Sequence, residues 1–151
     1  MAHDRILLAI GPEDRDSLDT LVDAAIDIAE PAGATVYLLY AFPRDDYEAV
    51  MEKMDIDVAT SGLTADEVAQ RHESVRGPAD RLESLDIDYE IRGVSGGTLS
   101  DRIVRAIEQV DADVAVVGGT KRSPAGKAMF GDHAQRVLLN APVPVLYVKR
   151  E

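Results

Sequence analysis

The sequence predicts a doubly wound α/β domain, a mostly parallel sheet covered by helices on both faces. Five short apolar runs alternate with stretches of helical periodicity along 151 residues, and strands that alternate with helices imply parallel pairing through crossovers. Most of these runs are apolar throughout, as strands buried on both faces are. No internal repeat, low-complexity tract or linker divides the chain, so residues 1–151 read as a single domain.

Asp4 to Ile10 is the first strand, stopped by Gly11-Pro12. Asp16 or Ser17 is placed to cap a helix whose Leu18, Leu21, Val22, Ala25, Ile28 and Ala29 share one face. Pro31 and Gly33 mark its end. Thr35 to Phe42 is the second strand. Residues 43–62 are irregular in pattern, with a short helical stretch expected over Tyr47 to Met54. Thr64-Ala65-Asp66-Glu67 has the spacing of a capping box and opens a helix carrying Val68, His72, Val75, Ala79 and Leu82. Gly77-Pro78 is expected to kink that helix or split it in two. Asp88 to Val94 alternates more than the other strands and suits a sheet edge. Ser95 to Thr98 is a turn, and Ser100 is placed to cap a helix with Ile103, Val104, Ile107 and Val110 inward. Asp113 to Gly118 is the fourth strand and Gly119 to Phe130 a long loop. Asp132 is placed to cap a short helix through Asn140, and Pro142 to Val148 is the last strand.

Charge sets the partners. There are 28 acidic residues against 16 basic ones, for a net charge of -12. Such a surface repels nucleic acid and anionic membranes, which are polyanions. It serves either to repel acidic partners or to keep a protein solvated in high-salt cytoplasm; in the second case self-repulsion at low salt is expected to destabilise it. The absence of cysteine excludes disulfides, thiol catalysis and Cys-based metal sites. No apolar run approaches the roughly 18 residues of a membrane span. The first residues carry no secretory pattern, so a cytoplasmic location is expected.

Ligands of doubly wound sheets bind beyond the carboxyl ends of the strands, where strand order reverses. The loop after the fourth strand is the richest candidate, reading Gly118-Gly119-Thr120-Lys121-Arg122-Ser123-Pro124-Ala125-Gly126-Lys127-Ala128-Met129-Phe130-Gly131-Asp132. Lys121, Arg122 and Lys127 concentrate positive charge, and between residues 106 and 148 only Arg136 lies outside that cluster. Ser123 adds a hydroxyl. Glycines allow close backbone approach, and the following helix offers free N–H groups at Gly131, Asp132 and His133. Together these residue types suit an anion.

The loop and the order of strands and helices resemble the universal stress protein family. Its nucleotide-binding members carry a Gly, two residues, a second Gly, nine residues, then Gly followed by Ser or Thr. Here Gly118, Lys121, Gly131 and Asp132 occupy the marked positions: the spacing is kept, while Lys121 replaces the second Gly and Asp132 the hydroxyl residue. The Asp that ATP-binding members place after the first strand is matched by Gly11, which follows Ile10; Ala41 matches the small apolar contact after the second strand, and Val117, just before Gly118, joins the implied site from the fourth. The resemblance implies a five-stranded sheet in order 3-2-1-4-5. It also implies a site for ATP or a related adenine nucleotide, with or without Mg²⁺, and a homodimer paired through Val143 to Val148.

Other motifs carry less. Ser95-Gly96-Gly97-Thr98-Leu99-Ser100 resembles the phosphate loop of ATP pyrophosphatases, but follows the third strand and has Leu99 where that loop has Asp. Gly126-Lys127 fails the P-loop pattern at Lys121 and Ala128. His3, His72 and His133 have no metal-ligand spacing; His72 reads as a packed residue, and His133 stands near the candidate site. Three functions fit: a regulatory nucleotide-binding protein that is not an enzyme, a dimeric interaction module of the same fold that binds no nucleotide, and a slow phosphohydrolase.

Overall fold

The computed structural model describes residues 4–11, 14, 17–42, 65–95, 99–120 and 132–150. Its strands are β1 (Arg5–Ile10), β2 (Thr35–Phe42), β3 (Tyr89–Ser95), β4 (Val114–Thr120) and β5 (Val145–Arg150). Its helices are α1 (Leu18–Ala32), α2 (Ala65–Arg71), α3 (Glu73–Ser84), α4 (Leu99–Gln109) and α5 (Asp132–Asn140). The sheet is parallel throughout, in the order β3-β2-β1-β4-β5. The helical stretch expected over Tyr47 to Met54 lies outside the described residues.

Alternation along the strands builds two cores. Ile6, Leu8 and Ile10 of β1, with Val36, Leu38, Tyr40 and Phe42 of β2, face α1, α2 and α3. Leu7, Ala9, Tyr37, Leu39, Ala115 and Val117 face α4 and α5, where Ile103, Ile107 and Val137 meet them. Both faces of the central strands are therefore covered, which is why β1 and β2 read as unbroken apolar runs.

Helix ends follow local chemistry. Gly33 closes α1 in the left-handed conformation at φ 64° and satisfies Ala29 and Glu30 carbonyls. Asp86 and Asp111 take the same conformation, at φ 58° and 54°, in the turns after α3 and α4. Ser17 stands at the N-cap of α1, but its side chain makes no capping bond. Pro31, expected beyond the helix, lies inside its last turn.

Several boundaries correct the sequence reading. The helical segment after Thr64 does break, but at His72 and not at Gly77-Pro78, which α3 runs through. His72 leaves helical geometry (φ -75°, ψ 135°), and its Nδ1 accepts the Ser74 N–H at 3.1 Å. Its ring stacks on Tyr40 with centroids 4.2 Å apart. The break gains a cap and an aromatic contact, whereas Pro78, inside the restarted helix, forfeits one backbone bond. β4 extends through Gly119 and Thr120, which pair with Lys149 and Arg150. β5 starts late because Pro142 and Pro144 have no N–H to donate, although the Pro144 carbonyl still accepts from Ala115 at 3.0 Å.

β3 is an edge strand, as its alternation predicts, and α2 covers it. The Asp66 carboxylate on α2 accepts the Gly93 N–H at 2.7 Å, a donor that would otherwise face outward from the edge.

Candidate functional site

Strand order reverses between β1 and β4, and the two ends of that junction differ. At the amino ends, Asp113 Oδ2 accepts the N–H groups of Asp4 and Arg5 at 2.8 and 3.0 Å, and the Asp113 N–H bonds the Arg5 carbonyl at 2.8 Å. Toward the carboxyl ends the β1–β4 pairing stops at Leu8↔Val116. The ladders on either side run on, to Ile10↔Tyr40 and Thr120↔Arg150. The strands are therefore fastened below and parted above, which opens the crevice that doubly wound folds use.

Asp14 closes the floor of that crevice. It is only 4% exposed. Its Oδ2 accepts the Gly11 N–H at 2.8 Å while its own N–H bonds the Gly11 carbonyl at 3.0 Å. This reciprocal pair locks the turn after β1. Oδ1 of the same carboxylate lies 2.7 Å from where a Cβ on Gly118 would stand, and Leu21 Cδ2 lies 3.2 Å from it. Gly118 thus lacks a side chain because Asp14 and α1 fill the space. Asp14 is not among the residues singled out from the sequence; its carboxylate reaches back three residues to the Gly11 N–H, and the turn residues Gly11-Pro12 just before it were the nearest signal.

The predicted residues divide between the two faces. Ile10 packs in the core beneath α1, and Gly118 meets Asp14 and Leu21 on that same side. Val117 packs on the opposite face, beneath α4 and α5. Ala41 is buried near the end of β2, beside Val94 of β3. Gly11 holds the Asp14 carboxylate. Asp132 and His133 are the first two residues of α5, so their backbone N–H groups have no partner within the helix. Asp132, expected as a cap, is the first helical residue. Lys121, Arg122, Ser123, Lys127 and Gly131 lie outside the described residues.

A second polar group reaches the same end of the sheet. Ser100, expected as a helix cap, is the second residue of α4. It shares the inward stripe of Ile103, Ile107 and Val110 and is 1% exposed. Its hydroxyl oxygen has no hydrogen-bond partner among the described residues. An unpaired buried hydroxyl costs roughly 1–3 kcal/mol. Because α4 follows β3 in a parallel sheet, its first turn stands at the carboxyl edge, the edge that holds Gly11 and Gly118. Sealed on the α4 face, that hydroxyl stays apart from Asp14, whereas the Asp14 carboxylate and the first amides of α5 at this edge suit a ligand bearing both hydrogen-bond donors and an anionic group. Among the described residues no group of three or more His, Asp or Glu is placed to hold a metal.

A parallel sheet in this order, open at its switch point, defines a doubly wound α/β protein. The family sequence model for universal stress proteins matches residues 2–149, and the chain belongs to the universal stress protein family. A universal stress protein of Mycolicibacterium smegmatis is 38% identical over 68 residues, covering 45% of this chain and 52% of that protein. The match thus spans about half of that relative's length. Among solved structures, a universal stress protein from Archaeoglobus fulgidus is 25% identical, with a TM-score of 0.71 over 97% of this chain and 98% of that one. A universal stress protein in complex with cAMP is 23% identical, with a TM-score of 0.65 over the full length of both chains. Among the described residues no helix is long and apolar enough to cross a membrane.

Proposed function

We propose that this chain is a regulatory protein that binds ATP or a related adenine nucleotide at the β1–β4 crevice without efficient turnover. The observation that carries this reading is the parting of β1 and β4 beyond Leu8↔Val116, with Asp14 at its floor. A carboxylate there accepts hydrogen bonds from sugar hydroxyls or an exocyclic amine, as acidic groups do in related dinucleotide sites. The first amides of α5 suit a phosphate. Lys121, Arg122, Ser123 and Lys127 supply the cationic and hydroxyl groups of the same loop. The solved complex of a family member with cAMP supports an adenine nucleotide as the ligand class. The reading is that of a cytoplasmic binding protein that holds the nucleotide and does not turn it over efficiently. Mg²⁺, where it takes part, would neutralise phosphate charge.

The same reading includes a homodimer paired through β5. That strand pairs with β4 on one side, and Leu146 and Leu139 nearby are exposed at 39% and 75%. Strand pairing across a twofold axis would satisfy the open edge.

The test is direct. The protein is purified in high salt, denatured, and its supernatant assayed for released nucleotide; ATP and cAMP binding are then measured by calorimetry with and without Mg²⁺. Saturable binding weakened by Lys121→Ala and Lys127→Ala is expected, with no phosphate release. Absence of binding up to about 1 mM, equivalent to about 4 kcal/mol of affinity, would leave the interaction module as the function. The departures of Gly11, Lys121 and Asp132 from the family's nucleotide motif favour that second reading.

A further inference from the structure

A second cavity lies away from the switch point, on the α4 side of the sheet. Its volume is ≈ 390 Å³, within the range of roughly 300–1,000 Å³ typical of small-ligand pockets. Leu39, Val94 and Ala106 give it apolar walls, and Arg5, Arg92 and Tyr37 give it polar ones. Arg5 and Val110 stand at its amino end and Gly93 and Val94 near the carboxyl end of β3, so the cavity runs along the α4 face of β2 and β3. The β1–β4 crevice opens between a different pair of strands.

Three groups there have unused hydrogen-bonding capacity. Tyr37 is 7% exposed, and its hydroxyl makes no hydrogen bond among the described residues. Arg5 Nη1 donates to the Val110 carbonyl at 2.9 Å, which uses one of five N–H groups. Arg92 donates from Nη1 to the Ile91 carbonyl at 3.3 Å and from Nη2 to Glu90 Oε1 at 2.9 Å, which leaves three of its five N–H groups, Nε–H among them. The Arg92 guanidinium lies 5.9 Å from the centroid of the Tyr37 ring, within cation–π range. Asp66 also lines the space, but its Oδ1 is engaged by the Gly93 N–H at 2.7 Å.

The charge balance selects the ligand. Arg5 and Arg92 bring two positive charges and Asp66 one negative charge, so the lining is net +1 in a chain of net -12. Glu90, bonded to Arg92, offsets part of its charge. A dianion is disfavoured by Asp66 and Glu90, whereas a single carboxylate matches the spare N–H groups and the Tyr37 hydroxyl. Tyr37 lines the cavity, where its hydroxyl can donate to a ligand oxygen. We propose that this cavity binds a small monocarboxylate with a flat apolar body, its carboxylate between Arg5, Arg92 and Tyr37 and its body against Leu39, Val94 and Ala106. The proposal is independent of nucleotide binding, since none of its residues is among those assigned to the nucleotide.

The experiment is an NMR titration of the full chain with benzoate at constant ionic strength, with benzamide as the uncharged control. Expected are saturable shifts of the Arg92 Nε–H and of the Gly93 and Ala106 amides, with a Kd of order 1 mM, about 4 kcal/mol. Arg92→Gln and Tyr37→Phe, each checked for an unchanged fold by its amide spectrum, should each weaken benzoate about fivefold or more, roughly 1 kcal/mol. ATP affinity of both variants should equal that of the parent. Absence of saturation, equal binding of benzamide, or unchanged benzoate affinity in both variants would overturn the proposal. Failure of ATP binding alone would overturn only the nucleotide reading.

Discussion

Gly118 and Asp14 exclude each other's larger forms: a Cβ on Gly118 would stand 2.7 Å from Asp14 Oδ1. The carboxylate cannot simply swing away, because Oδ2 is bonded to the Gly11 N–H and the side chain is buried. Gly118→Ala should therefore destabilise the protein by about 1–3 kcal/mol, the usual range for overpacking. Adding Asp14→Ala should recover part of that loss, because the second change removes the clash. Urea unfolding of the two single variants and the double variant measures the coupling. Strict additivity would show that the two residues do not compete for space.

His72 does two jobs at the α2–α3 junction. Its Nδ1 caps Ser74, and its ring lies on Tyr40. Loss of a cap costs about 1 kcal/mol, and an aromatic contact contributes about 0.5–1.5 kcal/mol. His72→Ala should thus cost roughly 2 kcal/mol in total, while His72→Asn, which can still cap, should cost less. Hydrogen exchange discriminates the roles. The Ser74 amide should exchange faster in the Ala variant and stay protected in the Asn variant.

The edge of β3 depends on one carboxylate. Replacing Asp66 with Ala removes the acceptor of the Gly93 N–H and loosens α2 from the edge. A loss of about 1–2 kcal/mol is expected, as for other hydrogen bonds to charged groups. The Gly93 amide should lose protection first. Concentration-dependent association should rise as well, because an uncovered edge recruits other strands. Light scattering across a dilution series reads that outcome.

How far the sequence reaches depends on the range of the interaction. β1 and β2 were legible because burial on both faces leaves an unbroken apolar run, and the alternation of β3 marked it as an edge. The break at His72 was not, because Gly77-Pro78 is the stronger local signal, and what favours His72 is the ring of Tyr40 on a distant strand. Asp14 was invisible for a similar reason. Its spacing from Gly11 suggests a turn, but only the approach of β4 shows that its second oxygen occupies the space beside Gly118. Ser100 had the right residue type for a cap. The start of α4 at Leu99, one residue earlier, turned that hydroxyl inward. The candidate loop was legible by composition and spacing, since clustered Lys and Arg stand out in an acidic chain.

Net charge gives a prediction for the whole chain. A charge of -12 over 151 residues produces self-repulsion that favours the expanded chain. Salt bridges resolved among the described residues, Arg81 with Asp23 and Arg92 with Glu90, are partly exposed and contribute little. Screening should then act mainly on repulsion. The Debye length falls from about 10 Å at 0.1 M salt to about 3 Å at 1 M, so the melting temperature should rise steeply over that interval. Sodium chloride and potassium chloride should act alike in the screening range; sulfate, which also strengthens apolar burial, should raise it further. Calorimetric scans over a salt series measure the effect. A melting temperature that falls with added chloride would mean that attractive ion pairs outweigh repulsion, and that the acidic surface does not suit the chain to high salt.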